Sequence, residues 1–405
     1  MRCKTMTEES IGAFGWTRGW LAALGLLLIA PLAIAEPAAA PPVLSPIVVG
    51  LIAAPNPVLG ADNKIHLAYE LTVVNQSVLI VGIDAIDVVD AVNDKVLQHL
   101  DADAVDAQLR LNSRDEGNVL GPGNSGYFFM DVTFPADAKV PPVISHRFTL
   151  AVKPISPDAQ GPKPPPTMVF TGAPVSVGDP AIVVAPPLKG SRWAVGGGCC
   201  ATISYHRGAT LAINGSVHVA ERFAIDFVQL NDENKLASGP PEQLSSYHYL
   251  GAEILSVADG VVAAIHDGDQ EEVPGKLPEG KSIGNAGGNY IVVDIGGGRF
   301  AFYAHMQPGS LKVKVGDHVT TGQVLGLLGN SGNTDTPHLH FHVMDGVSPL
   351  ESNGLPYAFA SFAGNGVIND EKPLFTNGTV EIDASALAGA HKNQLPLNLE
   401  VVSFP

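Results

Sequence analysis

Gly326–Val343 reads GLLGNSGNTDTPHLHFHV, and its closing run of histidines decides how the rest is read. In a β-strand, residues two apart project to the same face. His338, His340 and His342 therefore share one face, while Leu339 and Phe341 point the other way, into a core. The Cα atoms of His338 and His340 fall roughly 6.6 Å apart at ~3.3 Å per residue. Two imidazoles at that spacing can serve one centre, one binding a metal and the other handling a proton on water. Neutral imidazole is a common zinc ligand, and a catalytic zinc site keeps one position open. A bare H-x-H also suits satisfied histidines on an ordinary strand, so its neighbourhood has to decide. Gly326, Gly329 and Gly332 supply the freedom for a tight turn into this strand.

Working outward, three further stretches carry the same character. Gly287–Met306 reads GGNYIVVDIGGGRFAFYAHM, with His305 near its end. Ile254–Ile265 reads ILSVADGVVAAI, and Arg222–Val228 reads RFAIDFV. With period 2, Phe223, Ile225 and Phe227 share one face and Arg222, Ala224 and Asp226 the other. An unpaired carboxylate inside an apolar strand is expensive, so Asp226 needs a partner. A metal is one choice. An Arg222–Asp226 ion pair is the other, although those Cα atoms lie about 13 Å apart on a straight strand.

These stretches resemble the M23 family of lysostaphin-like zinc metallopeptidases. Gly316–Val343 is similar to the family's G-D-x-V…G-Q…P-H-L-H-F-E segment, and the upstream stretches to its Gly-Asn, Tyr-x-His, A-x-x-D-G-x-V and H-x-x-x-D segments. The similarity spans roughly Trp193–Phe362. It implies zinc, held by Asp226 and His340, with His338 as general base and His305 stabilising the oxyanion. The implied substrates are peptide cross-links of bacterial peptidoglycan. One position departs from the pattern: Arg222 stands where the family has its first zinc-binding histidine, and a guanidinium cannot ligate a metal. His206 and His218 are the substitutes. Asn214-Gly215 is a strong hairpin signal, and a hairpin there brings His206 opposite Arg222 or Asp226. The expected metal set is His206, Asp226 and His340, with an empty or two-ligand site as the main alternative. His342 takes the place of the family's Glu and either orients a ligand or lines the site. A catalytically silent M23-like module that binds wall or a partner hydrolase is the competing function. A biotinyl or lipoyl hairpin is disfavoured, because Met344 has no adjacent lysine.

The 405 residues suit two domains. With 44 glycines, 32 prolines and 6% aromatics, the composition favours short strands and many turns. Residues 1–35 read as a secretory signal: Arg2, Lys4 and Arg18, then the apolar Trp20–Leu32, then Ala33-Ile34-Ala35. The mature protein is expected in the periplasm or secreted, with no membrane span. Losing that segment removes three basic and two acidic residues and shifts the charge from −17 to −18. So acidic a chain is a poor partner for nucleic acid.

Residues 36–47 form an Ala/Pro-rich linker and residues 48–153 an immunoglobulin-like β-sandwich of alternating strands such as Leu67–Val74. Its histidines His66, His99 and His146 look scattered, with no ligand cluster. Residues 154–187 are a Pro-rich linker with short strands near Thr167–Val177. The peptidase-like antiparallel sheet occupies 188–362, and 363–405 is an extended tail whose pieces add edge strands. The fold class is thus all-β throughout. Asp267–Gly284 is a polar insertion suited to walling a groove, and His248, His266 and His318 are read as surface residues. Cys199 and Cys200 are adjacent: a bond between them starts from Cα atoms nearer than the usual disulfide range, and two free buried thiols are the other reading.

Overall fold

The computed structural model describes residues 42–113, 117–156, 158, 163–200 and 203–405. The expected signal segment and most of the linker after it lie outside the described residues. Strand dominates the regular structure of the described residues, and the only α-helix among them is the short Ala102–Gln108, in keeping with the composition.

The stretch Leu67–Val74 carries buried residues at both parities, because both of its faces are covered. It lies in β1 (Lys64–Asn75). Leu67, Tyr69, Leu71 and Val73 enter a core built between two sheets. The first sheet sets β1 beside β3 (Ser125–Pro135); the second sets β2 (Leu79–Asp90) beside β4 (Val143–Pro154), and both pairings are antiparallel. Thr167–Thr171 and Val175–Ser176, inside the Pro-rich stretch, extend the second sheet by pairing with β4. The opposite parity of β1 turns elsewhere. Ala68 packs into the core of the larger sheet, and Glu70 is fully buried on that side.

The larger sheet is antiparallel and carries the histidine strand near its middle. Its strands are β5 (Gly190–Gly196), β6 (Ile225–Gln229), β7 (Gly260–His266), β8 (Asn289–Asp294), β9 (Phe300–Met306), β10 (Leu339–Met344), β11 (Phe362–Ile368) and β12 (Glu400–Phe404). In space the order is β7-β8-β9-β10-β6-β5-β12-β11, with His318–Val319 beyond β7 and Ile382–Asp383 beyond β11. Leu339, Phe341 and Val343 of β10 meet Phe227, Tyr303 and Tyr357 in one core. Each fully buried side chain of this size is worth about 1.5–3 kcal/mol, which fixes the register that turns His338, His340 and His342 to the other face.

Three local expectations need correction. The strand through Arg222 begins only at Ile225; residues 221–223 form a turn, so Arg222 is free of the alternation that would align it with Asp226. The hairpin at Asn214-Gly215 exists, with φ of 51° and 84° at those residues, but its ladder stops at Leu211↔His218 and does not reach His206. In the tail, Ile382–Asp383 does lie at the sheet margin, whereas β12 is internal, between β5 and β11. Cys199 and Cys200 are joined in a disulfide, which answers the question their adjacency left open.

Candidate metal centre

Register delivers the first two groups. β6 and β10 pair so that Asp226 lies opposite His340, and β9 flanks β10 with Ala304 opposite His340. Asp226 Oδ1 then stands 2.9 Å from His340 Nδ1, 3.3 Å from His206 Nε2 and 3.3 Å from His338 Nε2. The Tyr205 hydroxyl donates to Asp226 Oδ2 at 2.9 Å. His206 reaches this point from a turn over 205–208 rather than from a hairpin strand. His218 does not join the cluster, and His248, His266 and His318 are exposed, as expected.

Every histidine here is aimed by a bond on its outer nitrogen. His206 Nδ1 lies 3.1 Å from both Gly197 O and Ala224 O. His338 Nδ1 is 2.7 Å from Thr336 O, and His305 Nδ1 is 2.7 Å from Ser331 O. A carbonyl only accepts, so these bonds place a proton on Nδ1 and turn Nε2 toward the centre, where a bound metal would displace any proton that Asp226 attracts and take up the lone pair. His340 is held the other way round, its Nε2 3.0 Å from His342 Nδ1 and its Nδ1 toward Asp226. Outer-nitrogen anchoring of this kind is how metal-binding imidazoles are oriented. Ligand atoms of His206, Asp226 and His340 lie within 4.8 Å of one another, and so do those of His305, His338 and His340. One carboxylate and two neutral imidazoles fit the donor chemistry of zinc.

The charges are strongly coupled. Burial pushes the Asp226 carboxyl up, but the His206 and His338 imidazoles outweigh it and hold it well below the usual range. Burial works downward on His206, and Asp226 reverses it, to about 9. His338 is likewise raised, against burial, by Asp226. Burial, together with His338 and His340, holds His305 well below the ordinary imidazole value. His305 also sits at φ 61°, a left-handed conformation that is uncommon outside glycine and is found at functional sites.

Arg222 is occupied elsewhere. Its Nε donates to Glu70 Oε2 at 2.6 Å, and Arg207 Nη2 lies 3.6 Å from Glu70 Oε1. All three side chains are 0–1% exposed. Arg207 also donates to Met130 O at 2.9 Å and to Cys200 O. The expected alternative, an Arg222–Asp226 pair, is therefore not formed. His66 is not isolated either: it bridges Asp62 and Asp131, at 3.1 and 3.0 Å. Sequence reasoning missed Glu70, Tyr205 and the residues after β11 that flank the centre. Glu70 did carry a signal, because a carboxylate inside LAYELTVV needs a partner for the same reason as Asp226.

Residues 246–352 match peptidase family M23. The chain carries an M23 peptidase domain. Two curated relatives agree. One is Endolysin 2638A of Staphylococcus phage 2638A, 29% identical over 136 residues, which are 30% of this chain and 28% of that protein. The other is Glycyl-glycine endopeptidase ALE-1 of Staphylococcus capitis, 32% identical over 130 residues, 32% of this chain and 33% of that protein. The chain thus spans about a third or less of the length of these relatives. Among solved structures, the catalytic domain of lysostaphin from Staphylococcus simulans is 24% identical, covering 36% of this chain and 80% of that one with a TM-score of 0.22. The M23 match includes His305, His338 and His340 but begins after His206 and Asp226. The departure at Arg222 thus falls where the M23 match does not reach.

Proposed function

We propose that this protein is an exported zinc endopeptidase that cleaves peptide bonds in peptidoglycan cross-links. The observation that carries this reading is the convergence of His206, Asp226 and His340 beside His305 and His338, each imidazole aimed from behind. His206, Asp226 and His340 would hold the zinc, whose chemistry is Lewis acidity toward a scissile carbonyl and a lowered pKa for water. His338 Nε2 bears the lone pair toward the centre and takes the proton from the attacking water. His305 Nε2 also starts without a proton. It becomes a donor to the developing oxyanion or the departing amine only after taking over the proton that His338 removed from the water. That proton leaves on the amine and returns both rings to neutral. The ring centroids lie 4.4 Å apart, so the two rings work as a relay. Export rests on the N-terminal sequence; among the described residues, no helix is long and apolar enough to cross a membrane.

The silent-module reading rested on Arg222. That ground weakens because Arg222 is paired with Glu70 while His206 stands at Asp226. Elemental analysis of the purified protein, with an assay for new amino termini released from purified peptidoglycan, tests the proposal. The expected result is close to one zinc per chain and steady release. Protein that holds no zinc, takes up none and releases nothing would return the assignment to a binding module.

A further inference from the structure

Beside the centre lies an apolar recess, lined mostly by residues outside the M23 match, that the relay does not use. Its apolar lining includes Ala194, Val228 and Leu236 together with Ile368, Leu374 and Leu399. Asp226 and His338 themselves are among the residues that line it. Ile368 ends β11, Leu374 and Leu399 follow it, and this part of the chain is fastened in place: Ala237 N donates to Asn377 Oδ1 at 3.0 Å, and Val380 N donates to Asn234 O at 3.0 Å. Placing β12 between β5 and β11 brings Leu399 and Ile368 to the same side. Asp335 and Glu371 stand among the lining residues.

We propose that this recess binds the side chain of the substrate residue next to the scissile bond, and that the side chain is small and aliphatic. This rests on the peptidase reading above. Three observations fix the class. The lining is dominated by Val, Leu and Ile, so a filled recess removes apolar surface from water. The volume is about 90 Å³, below the roughly 150 Å³ cavity that holds benzene, which suits alanine or valine and excludes aromatic side chains. The carboxylates of Asp335 and Glu371 disfavour an acidic side chain or a terminal carboxylate there. A glycine at this position leaves the recess unfilled. The preferred bond therefore joins an alanine- or valine-type residue, in contrast to an all-glycine bridge.

The test is a peptide series on the zinc-loaded, full-length protein. Glycine pentapeptides carry a single alanine, valine, phenylalanine or aspartate of either hand at each position in turn, and kcat/KM is measured for each. At one position adjoining the cut, each added aliphatic carbon should raise kcat/KM about fourfold over glycine, while phenylalanine and aspartate fall below glycine. Leu374→Trp narrows the half-buried wall and should bring the valine-to-glycine ratio to about one. If all-glycine peptide is cut as fast as the alanine and valine peptides, the recess is not a side-chain subsite. A valine-to-glycine ratio unchanged in a folded Leu374→Trp says the same. Should that variant fail to fold, the series on the unaltered protein still decides. If no peptide is cut by zinc-loaded protein, and peptidoglycan is not cut either, the peptidase reading itself has failed.

Discussion

Arg222 and Asp226 are four residues apart, and each buries its charge in a different cluster. Arg222 joins Arg207 around Glu70, a side chain of β1 that is 152 residues away in sequence. Asp226 joins His206, His338 and His340 on the sheet that carries the M23 domain. The partners differ in kind. A guanidinium is permanently charged and cannot ligate a metal, so the Glu70 cluster is locked and structural. An imidazole gives up its proton near neutrality and offers a lone pair, so the Asp226 cluster can exchange protons for a metal. The same local departure thus serves two ends. The arginine secures the β1 side of the protein, and the histidine proposed as ligand comes from a separate turn.

If the comparison is right, disturbing the Asp226 cluster costs chemistry and disturbing the Glu70 cluster costs stability. His338→Ala should lower hydrolysis by about 10²–10⁴-fold while zinc content stays near that of the unaltered protein. Loss of the metal along with activity would make His338 a ligand rather than the base. Glu70→Ala leaves two buried guanidiniums without their carboxylate and should destabilise by about 3–5 kcal/mol, read as a lower urea midpoint. A midpoint unchanged by that substitution would mean the cluster is not closed.

Glu400 is a third buried carboxylate and sharpens the contrast, because among the described residues its ion-pair contact is with an imidazole, His391 at 3.8 Å, and not with a guanidinium or an ammonium. Burial raises its carboxyl to about 8 from 4.5. The native state therefore keeps a proton that the unfolded chain releases above about pH 4.5. Its contribution to stability is full below that pH and is lost as the pH rises to about 8. Glu400→Gln carries no such proton, so its stability relative to the unaltered protein should rise by a few kcal/mol from pH 4.5 to 8.5. Equal denaturation midpoints at both pH values would show that Glu400 ionises normally. The smallest effect concerns support of the metal centre. His342→Phe removes the acceptor of His340 Nε2 and should weaken zinc binding 10–100-fold with little change in fold. Unaltered affinity would leave His342 as mere packing.

Much of the centre was legible in the sequence because strand alternation is local. Leu339 and Phe341 inward require His338 and His340 outward, and Asp226 announced itself as a carboxylate among apolar residues. Arg222 was not legible, since its partner lies in a strand with no sequence relation to it, and the strand assumed to carry it begins only at Ile225. His206 was found for a reason that holds only in part: the Asn214-Gly215 hairpin forms, but a turn over 205–208 makes the approach. The wall from Ile368 to Leu399 was hidden because a tail read as edge strands inserts β12 into the sheet interior, a choice set by long-range pairing alone.

The central claim is that His206, standing in for Arg222, is the third metal-binding side chain. Zinc affinity measured by competition with a chromophoric chelator, for His206→Ala beside the unaltered protein and Arg222→His, tests it most directly. The account predicts that His206→Ala loses zinc binding by at least about 100-fold, and that Arg222→His gains none while losing stability through unpaired Glu70. His206→Ala binding zinc like the unaltered protein, or Arg222→His binding it far more tightly, would contradict the account.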